Sequence, residues 1–240
     1  MFDLPANWPA PANVRALTTT RQHGVSQGNY ASNNLGLHVN DNAEHVFANR
    51  ASVIQRLTLP SPPAWLDQIH STKCVLLEQD NERQADAAIT RSAGNVIAIM
   101  TADCLPILLC NRQGTEIAGI HAGWRGLVNG IIENTLTRLY SNASDMIAWI
   151  GPSICGKCYE VGDDVRNACL NHYAFAADYF MPHGNKWLAN MPAIAEAVLK
   201  QNGIGSVYQS GACTFEEINH FYSYRRDQQT GRMVSLIWFN

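Results

Sequence analysis

Hydrophobic side chains recur at helical intervals along residues 43–57, which directly follow a polar stretch. Asp41 or Asn42 can cap the first turn, because a short polar side chain accepts hydrogen bonds from the free N–H groups there. One face of the segment carries the apolar side chains Val46, Phe47, Val53, Ile54 and Leu57. The spacing therefore predicts an amphipathic helix.

Other apolar runs are short and rich in β-branched residues, which is typical of strands that are buried on one or both faces. The predicted strands are residues 96–100, 107–110, 116–121, 146–150 and, at the end of the chain, 234–239. A sheet-rich centre follows from this grouping.

Helical spacing returns in residues 124–140, 162–173 and 191–201, and Asn202-Gly203 ends the last of these in the manner of a glycine C-cap. Thr230-Gly231 resembles a hairpin turn. Because strands are grouped and do not alternate strictly with helices, the pattern predicts the α+β class. No linker or repeat divides the chain, so we expect one layered domain spanning residues 1–240.

Composition narrows the function. The chain is 46% hydrophobic and 15% charged, which is enough apolar material for a large core. The net charge of -3 and the absence of a basic run argue against nucleic acid as a partner, and small molecules fit better. Thr101, Asp103 and Pro106 interrupt the longest apolar stretch, so no membrane span is expected.

Two features favour the cytoplasm. The first residues lack a basic segment followed by an apolar one, the pattern of a secretory signal. The seven cysteines are an odd number scattered over a chain too long to need disulfide bonds for stability, which favours reduced thiols.

Three candidate ligands lie where predicted strands end. They are His70, Cys104 and His121. Two imidazoles and a thiolate suit Zn²⁺, and three protein ligands leave a fourth tetrahedral position open, as in catalytic zinc sites. Taken singly, such a histidine or cysteine is more often a packed structural residue. The tertiary fold would have to assemble the set, because the three are too far apart in sequence for a local zinc finger.

Cys155 and Cys158 form a C-x-x-C pair, a pattern found in redox sites and zinc knuckles. No second C-x-x-C completes a knuckle, and the usual strand-to-helix redox context is missing. We therefore interpret the pair as a turn with buried thiols, and we read Cys74, Cys110, Cys169 and Cys213 as packed thiols as well.

Arg125 follows Gly123-Trp124 at the start of a predicted helix, where free N–H groups attract anions. It is a candidate phosphate ligand, and the alternatives are a solvated arginine or an ion-pair partner of Asp103. Asp103 itself can orient a ligating imidazole or serve as an acid or base toward a substrate.

Several strings closely resemble the laccase-domain family, also described as multicopper polyphenol oxidase-like. They run in the family's order through nearly the whole chain. The strings are YASNNLGLHV (30–39), TADCLP (101–106), HAGWRG (121–126), Gly151-Pro152 with CYEVG (158–162), and FYSYRR (221–226).

The resemblance implies a β-sandwich-like sheet core flanked by helices, and one zinc ion bound by His70, Cys104 and His121. It also implies a purine nucleoside phosphorylase that deaminates adenosine and cleaves methylthioadenosine, with purine nucleosides and phosphate as its small-molecule partners. Cys104, Asp103 and Arg125 are the expected catalytic residues. The expected substrate-binding residues are Arg21, Asn34, Gln68 and Arg225.

Two other functions remain open at this point. A copper-dependent polyphenol oxidase would use the same three ligands, since Cu²⁺ outcompetes Zn²⁺ at most such sites. A four-copper laccase needs on the order of ten histidines, whereas this chain has eight. The second alternative is a non-catalytic factor related to peptidoglycan, because one bacterial branch of the family is linked to its editing.

Overall fold

Two β-sheets face each other at the centre of the structure, which is a computed structural model describing residues 3–240. The strands of the described residues are β1 (Asp3–Pro5), β2 (Val14–Thr19), β3 (Ala64–Trp65), β4 (Cys74–Leu76), β5 (Ala87–Thr90), β6 (Ile97–Thr101), β7 (Leu105–Asn111), β8 (Ile117–Ala122), β9 (Met146–Ile150), β10 (Glu160–Val161), β11 (Phe180–His183), β12 (Lys186–Ala189), β13 (Ser206–Gln209) and β14 (Met233–Phe239).

The helices lie mostly outside these sheets. The α-helices of the described residues are α1 (Ala43–Arg56), α2 (Trp124–Val128), α3 (Ile131–Thr137), α4 (Asp163–His172), α5 (Met191–Gln201) and α6 (Tyr224–Asp227). Short 3-10 segments occur at Gly28–Tyr30, Leu37–Val39, Ala143–Asp145 and Ala174–Tyr179.

The first sheet has the order β1-β2-β14-β6-β3, and the second has the order β13-β9-β7-β8-β5-β4. A small third sheet, β10-β12-β11, lies apart from both. Most pairs are antiparallel, but β3 with β6, β4 with β5 and β13 with β9 are parallel. The predicted α+β class is confirmed, and the two large sheets are mixed.

The space between the two sheets is filled by side chains that alternate along the strands. Ile97 and Ile99 of β6 meet Leu108 and Cys110 of β7 in one buried cluster. The approach is close at Gly119 of β8, where an added Cβ would lie 2.7 Å from Ile97 Cγ2. The β-sandwich-like core implied by the family resemblance is therefore present.

The outer faces of both sheets are covered by helices. Ile107 and Leu109 of β7 point away from the sandwich and pack with Ile131 of α3 and Ile194 of α5. On the opposite side, Val53 of α1 packs with residues of β6 and β14. The helices thus bury the second face of each sheet, which is why the central strands are apolar on both sides.

The predicted helix at residues 43–57 is confirmed as α1, and the Asn42 side chain accepts from Glu44 N as its cap. The strands predicted at 96–100, 107–110, 116–121, 146–150 and 234–239 are confirmed as β6, β7, β8, β9 and β14 with small changes at their ends. The helices predicted at 162–173 and 191–201 are confirmed as α4 and α5.

Two local predictions are wrong. Residues 124–140 do not form one helix, because Gly130 adopts a left-handed φ of 89° and divides the segment into α2 and α3. Thr230-Gly231 does not close a hairpin: one helical turn, α6, precedes it, and β14 pairs with β2 and β6 instead. Within residues 3–240, none of the helices has the length and apolar character needed to cross a bilayer.

Candidate metal centre

His70, Cys104 and His121 come together at one end of the six-stranded sheet. One ligand atom from each lies within 4.8 Å of the other two. His121 belongs to β8, and Cys104 directly precedes β7. Because β7 and β8 pair with Leu105 opposite Ala122, the strand register itself places Cys104 next to His121.

His70 reaches the same point from a loop before β4, with a backbone φ of 60°. The Asp86 carboxylate holds this loop, since it accepts the backbone N–H of His70 at 3.0 Å and that of Ser71 at 2.6 Å. The Ser71 hydroxyl also donates to Asp86, at 2.7 Å. A single buried carboxylate therefore holds the loop in its left-handed conformation.

Asp86 also orients His121. Its Oδ1 atom lies 2.8 Å from Nδ1 of His121, so the Nε2 atom of that imidazole is left for the site. Asp86 reaches His121 because it directly precedes β5, which pairs with β8, and its carbonyl accepts the His121 N–H at 2.7 Å. Carboxylate–histidine pairs of this kind fix the orientation of imidazoles that bind metals.

The protonation of the two imidazoles differs. Burial opposes a charge on His121, but the neighbouring Cys104 and Asp86 outweigh burial and raise its pKa to about 9. Burial and the nearby His121 lower the pKa of His70. Burial would raise the pKa of Asp86, yet hydrogen bonds from His121 and Ser71 lower it. A metal ion entering this site would therefore displace a proton from His121.

Gly123 leaves the space that the ligand set needs. A Cβ at this position would overlap the His70 ring and lie 3.2 Å from Cys104 Sγ. The imidazoles of His70 and His121 and the Cys104 thiol converge at this point, and no side chain from Gly123 separates them. The His121 imidazole is already oriented by Asp86. These residues fit a tetrahedral metal ion held by three protein ligands.

Arg125 and Asp103 lie near the ligand set but do not pair with each other. The Asp103 carboxylate accepts the Thr214 hydroxyl at 2.6 Å, the Ser223 hydroxyl at 3.0 Å and the Arg225 backbone N–H at 2.7 Å. Arg125 is exposed, with Cζ 4.2 Å from the centroid of the Trp124 ring. The ion pair considered for them is wrong, and Asp86, not Asp103, orients an imidazole.

The side chains of two expected substrate-binding residues, Asn34 and Gln68, are hydrogen-bonded to other parts of the protein. Asn34 is fully buried; its side chain donates to Asp41 at 3.0 Å and accepts the backbone N–H groups of Gly36 and Arg232, both at 2.9 Å. Gln68 exchanges two 2.8 Å hydrogen bonds with the backbone of Met100. These amides fix loops, and their contact with a substrate stays a prediction.

The two expected arginines are placed differently. Arg21 donates to the carbonyls of Ala31 and Ile218 and lies over the Tyr222 ring, in a depression lined by neither the ligands nor Arg125. Arg225 is exposed, donates to the carbonyl of Glu160 and lies over the Tyr159 ring. Its backbone bond to Asp103 keeps Arg225 beside the site.

Sequence reasoning missed three residues of this site. Asp86 is one, and the signal for it was a lone acid within the apolar run 85–89. Arg232 is another: it is largely buried, and burial lowers its pKa, against the opposing effect of Cys104 and Asp103 nearby. Burial and the same two neighbours raise the pKa of Tyr159 to about 12, although Arg225 acts in the opposite direction.

Comparison with known proteins identifies relatives that span nearly the whole chain. The family described as "Multi-copper polyphenol oxidoreductase laccase" matches residues 15–240. "Purine nucleoside phosphorylase YfiH" of Escherichia coli is 44% identical over 96% of both chains. A "Purine nucleoside phosphorylase" of Pseudomonas aeruginosa is 42% identical and covers 98% of this chain and 97% of its own.

Solved structures are similar over the same span. A crystal structure of a Neisseria meningitidis protein superposes with a TM-score of 0.95 at 46% identity and covers all of both chains. A Bacillus licheniformis protein gives a TM-score of 0.87 at 30% identity, over 95% of this chain and 93% of its own. Taken with the site, these matches place the chain in the multi-copper polyphenol oxidoreductase laccase family.

Proposed function

We propose that this protein is a metal-dependent purine nucleoside phosphorylase that cleaves adenosine, inosine and methylthioadenosine and also deaminates adenosine. The observation that carries the proposal is the grouping of arginines around an open metal-binding set. Relatives that cover nearly the full chain carry the phosphorylase name, which supports the same reaction class. We propose zinc as the metal, one ion at this centre, held by His70, Cys104 and His121.

The arginines supply what phosphorolysis requires. In this reaction a phosphate oxygen bonds to C1′ of the ribose while the C1′–N9 bond breaks, and the purine leaves with the bonding electrons and takes up a proton. An anion must therefore be held beneath C1′. Alongside burial, the charge of Arg125 lowers the pKa of His70, and Cys104 and Asp103 oppose the lowering of the Arg232 pKa by burial, so both guanidinium groups lie within electrostatic range of the ligand set. Arg225 is held nearby through Asp103.

Each of these groups has a proposed role. Arg125, exposed beside the Trp124 ring, is proposed to contact the bound phosphate, whereas the largely buried Arg232 supplies a fixed positive charge. Asp103 is proposed as the acid or base that serves the purine, held in place by Thr214 and Ser223. When bound, zinc would supply a Lewis acid that polarises an oxygen at its open position.

Deamination uses the same site in a simpler way. It replaces the 6-amino group of adenine with an oxygen from water and releases ammonia, so it needs no phosphate. The same metal set would serve it, and Arg125 would matter less than in phosphorolysis. This difference separates the two activities experimentally.

The test measures purine release from adenosine, inosine and methylthioadenosine with and without phosphate. We expect a free base and a ribose 1-phosphate product only when phosphate is present, and Cys104→Ser should abolish the reaction. Cys169→Ala, which removes a buried thiol that is not one of the three ligands, is the matched control. Release that continues at the same rate without phosphate would identify a hydrolase and contradict the proposal.

A phenol oxidase is the competing activity, because copper suits the same three ligands. The same preparations, loaded with either zinc or copper, should be assayed against a phenol and inosine. We expect inosine cleavage with zinc and no phenol oxidation that depends on Cys104. Phenol turnover with copper, without inosine cleavage by either form, would favour the oxidase.

A further inference from the structure

Three thiols meet at a second place, away from the proposed zinc ligands. The Sγ atoms of Cys155, Cys158 and Cys213 and a carboxylate oxygen of Glu216 all lie within 4.8 Å of one another. Cys155 Sγ is 3.6 Å from Glu216 Oε2, and Cys155 N is 3.4 Å from Cys213 Sγ. The C-x-x-C pair is thus not an isolated turn, because Cys213 joins it from far along the chain.

The backbone holds the first two thiols on one tight turn. The Cys155 carbonyl accepts the N–H groups of Cys158 at 3.0 Å and Tyr159 at 3.1 Å. The turn is packed closely against Asn190, since a Cβ on Gly156 would lie 2.8 Å from the Asn190 Cβ. Both sulfur atoms therefore come from a segment whose position is set by ordinary backbone contacts.

A separate set of bonds fixes the third thiol and the carboxylate. Cys213 forms a parallel β-bridge with Ser153, and the Thr214 N–H donates to the Ser153 carbonyl at 3.0 Å. The Cys213 N–H donates to the Glu217 carboxylate at 3.1 Å, which closes the turn that carries Glu216. The four donor groups are thus brought together by protein contacts that do not need an ion.

The donor set matches a thiophilic divalent cation. Zn–S bonds are about 2.3 Å long, so two sulfur atoms of a tetrahedral site lie about 3.8 Å apart, a spacing this cluster can reach by small side-chain rotations. A disulfide would use two of the three sulfur atoms and leave the third and the carboxylate without a role. A metal ion would use all four donor groups at once.

The cluster also has an entry path. Cys155, Cys213 and Glu216 line a cavity of about 520 Å³, and Glu216 is exposed to solvent. Because none of the proposed zinc ligands lines this cavity, an ion would reach the thiols by a separate route. Cys213 is only 4% exposed, whereas Cys155 and Cys158 are half-buried, so the site lies at the wall of the cavity with its third thiol covered.

We propose that Cys155, Cys158, Cys213 and Glu216 form a second metal site that binds zinc and joins two loops behind the first centre. Both loops contact the residue before Cys104: the Ile154 N–H donates to the Asp103 carbonyl at 3.0 Å, and the Thr214 hydroxyl donates to the Asp103 carboxylate at 2.6 Å. The ion at this site has a structural role, holding the loops that position Asp103. The inference does not depend on the proposed nucleoside chemistry.

The test counts zinc in the full chain after reducing purification, metal removal and reloading with zinc alone. We expect two ions per chain in the wild type and in Cys169→Ala, which serves as the thiol control. One ion should remain in His121→Ala, one in Cys155→Ser/Cys158→Ser, and none when these changes are combined. Cobalt loading adds a spectroscopic readout: the strong sulfur-to-cobalt band of a three-thiolate site should persist in His121→Ala, and in the double cysteine variant only the weaker band of the single Cys104 thiolate should remain.

A substitution at the exposed Glu216 distinguishes loss of the metal ligand from loss of folding, because exposed side chains contribute little to the core. Loss of a residue that only supports a metal ligand lowers metal affinity by about ten- to a hundredfold. Because Glu216 is proposed as a ligand itself, Glu216→Gln should weaken zinc binding at the second site by at least this factor. Glu82→Gln, at another exposed glutamate, is the control. Wild-type protein that binds one ion and loses it in His121→Ala would overturn the proposal. So would a disulfide among the three thiols, trapped by alkylation directly from cells.

Discussion

The Asp86 carboxylate lies 2.8 Å from Nδ1 of His121, and it also accepts the backbone N–H of His70 at 3.0 Å. One buried acid thus positions two of the three candidate metal ligands. Asp86 is not itself one of the three candidate ligands.

We therefore expect Asp86→Asn to lower zinc affinity by about ten- to a hundredfold, the usual cost of losing such a partner. Competition with a chromophoric chelator measures this directly. Asp80→Asn is the matched control, because Asp80 also accepts a backbone N–H, from Leu76, but far from the ligands. Equal zinc affinity in wild type and Asp86→Asn would show that the carboxylate only supports the fold.

Gly123→Ala should exclude the metal without unfolding the protein. The new methyl group would overlap the His70 ring and press on Cys104 Sγ, so the three donors could no longer converge. Gly205→Ala is the control, since a Cβ there meets open space. Elemental analysis measures the bound metal, and circular dichroism verifies that the variant folds. Metal retained at the first site of folded Gly123→Ala would contradict this prediction.

Arg125→Ala should separate phosphorolysis from deamination. A charged hydrogen bond contributes about 1.5–3 kcal/mol, so phosphate-dependent turnover should fall about ten- to a hundredfold. Deamination should fall less, and metal should stay bound, because Arg125 is not a ligand. Rates with adenosine, with and without phosphate, provide the measurement. Equal losses in both activities would show that Arg125 positions the nucleoside, and the phosphate role would move to Arg225, which lies beside Asp103.

Glu116 should make folding stability depend on pH. Its carboxylate is 2% exposed and accepts the N–H groups of Tyr140 and Ser141 together with Arg91 Nε. Burial would raise its pKa, but these hydrogen bonds lower it from the ordinary value of 4.5. A lowered folded-state pKa stabilises the protein above the unfolded-state value, and that stabilisation is lost as the pH falls toward the folded-state pKa.

Glu116→Gln should therefore cost about 2 kcal/mol of unfolding free energy at pH 7, the scale of a charged hydrogen bond. The difference between wild type and variant should shrink as the pH drops below 4.5. Urea denaturation at several pH values measures both quantities. A difference that stays constant from pH 7 to pH 3 would mean that the carboxylate charge contributes nothing.

Much of the fold was readable from the sequence because helices and strands are encoded by local periodicity. The spacing in residues 43–57 predicted α1, and the β-branched runs predicted β6 and β9. The break at Gly130 was missed because the apolar spacing continues across it, while a single left-handed glycine decides where the helix ends.

The sequence by itself determined the chemistry of the proposed site, since residue types select the ligand set: two imidazoles and a thiolate from three separate segments of the chain. Only the tertiary structure decided which groups support it. Asp86 meets His121 through the pairing of β5 with β8, and Cys213 meets Cys155 through a β-bridge at Ser153. Such contacts join residues tens of positions apart, and their geometry follows from sheet order and register, which local patterns do not encode.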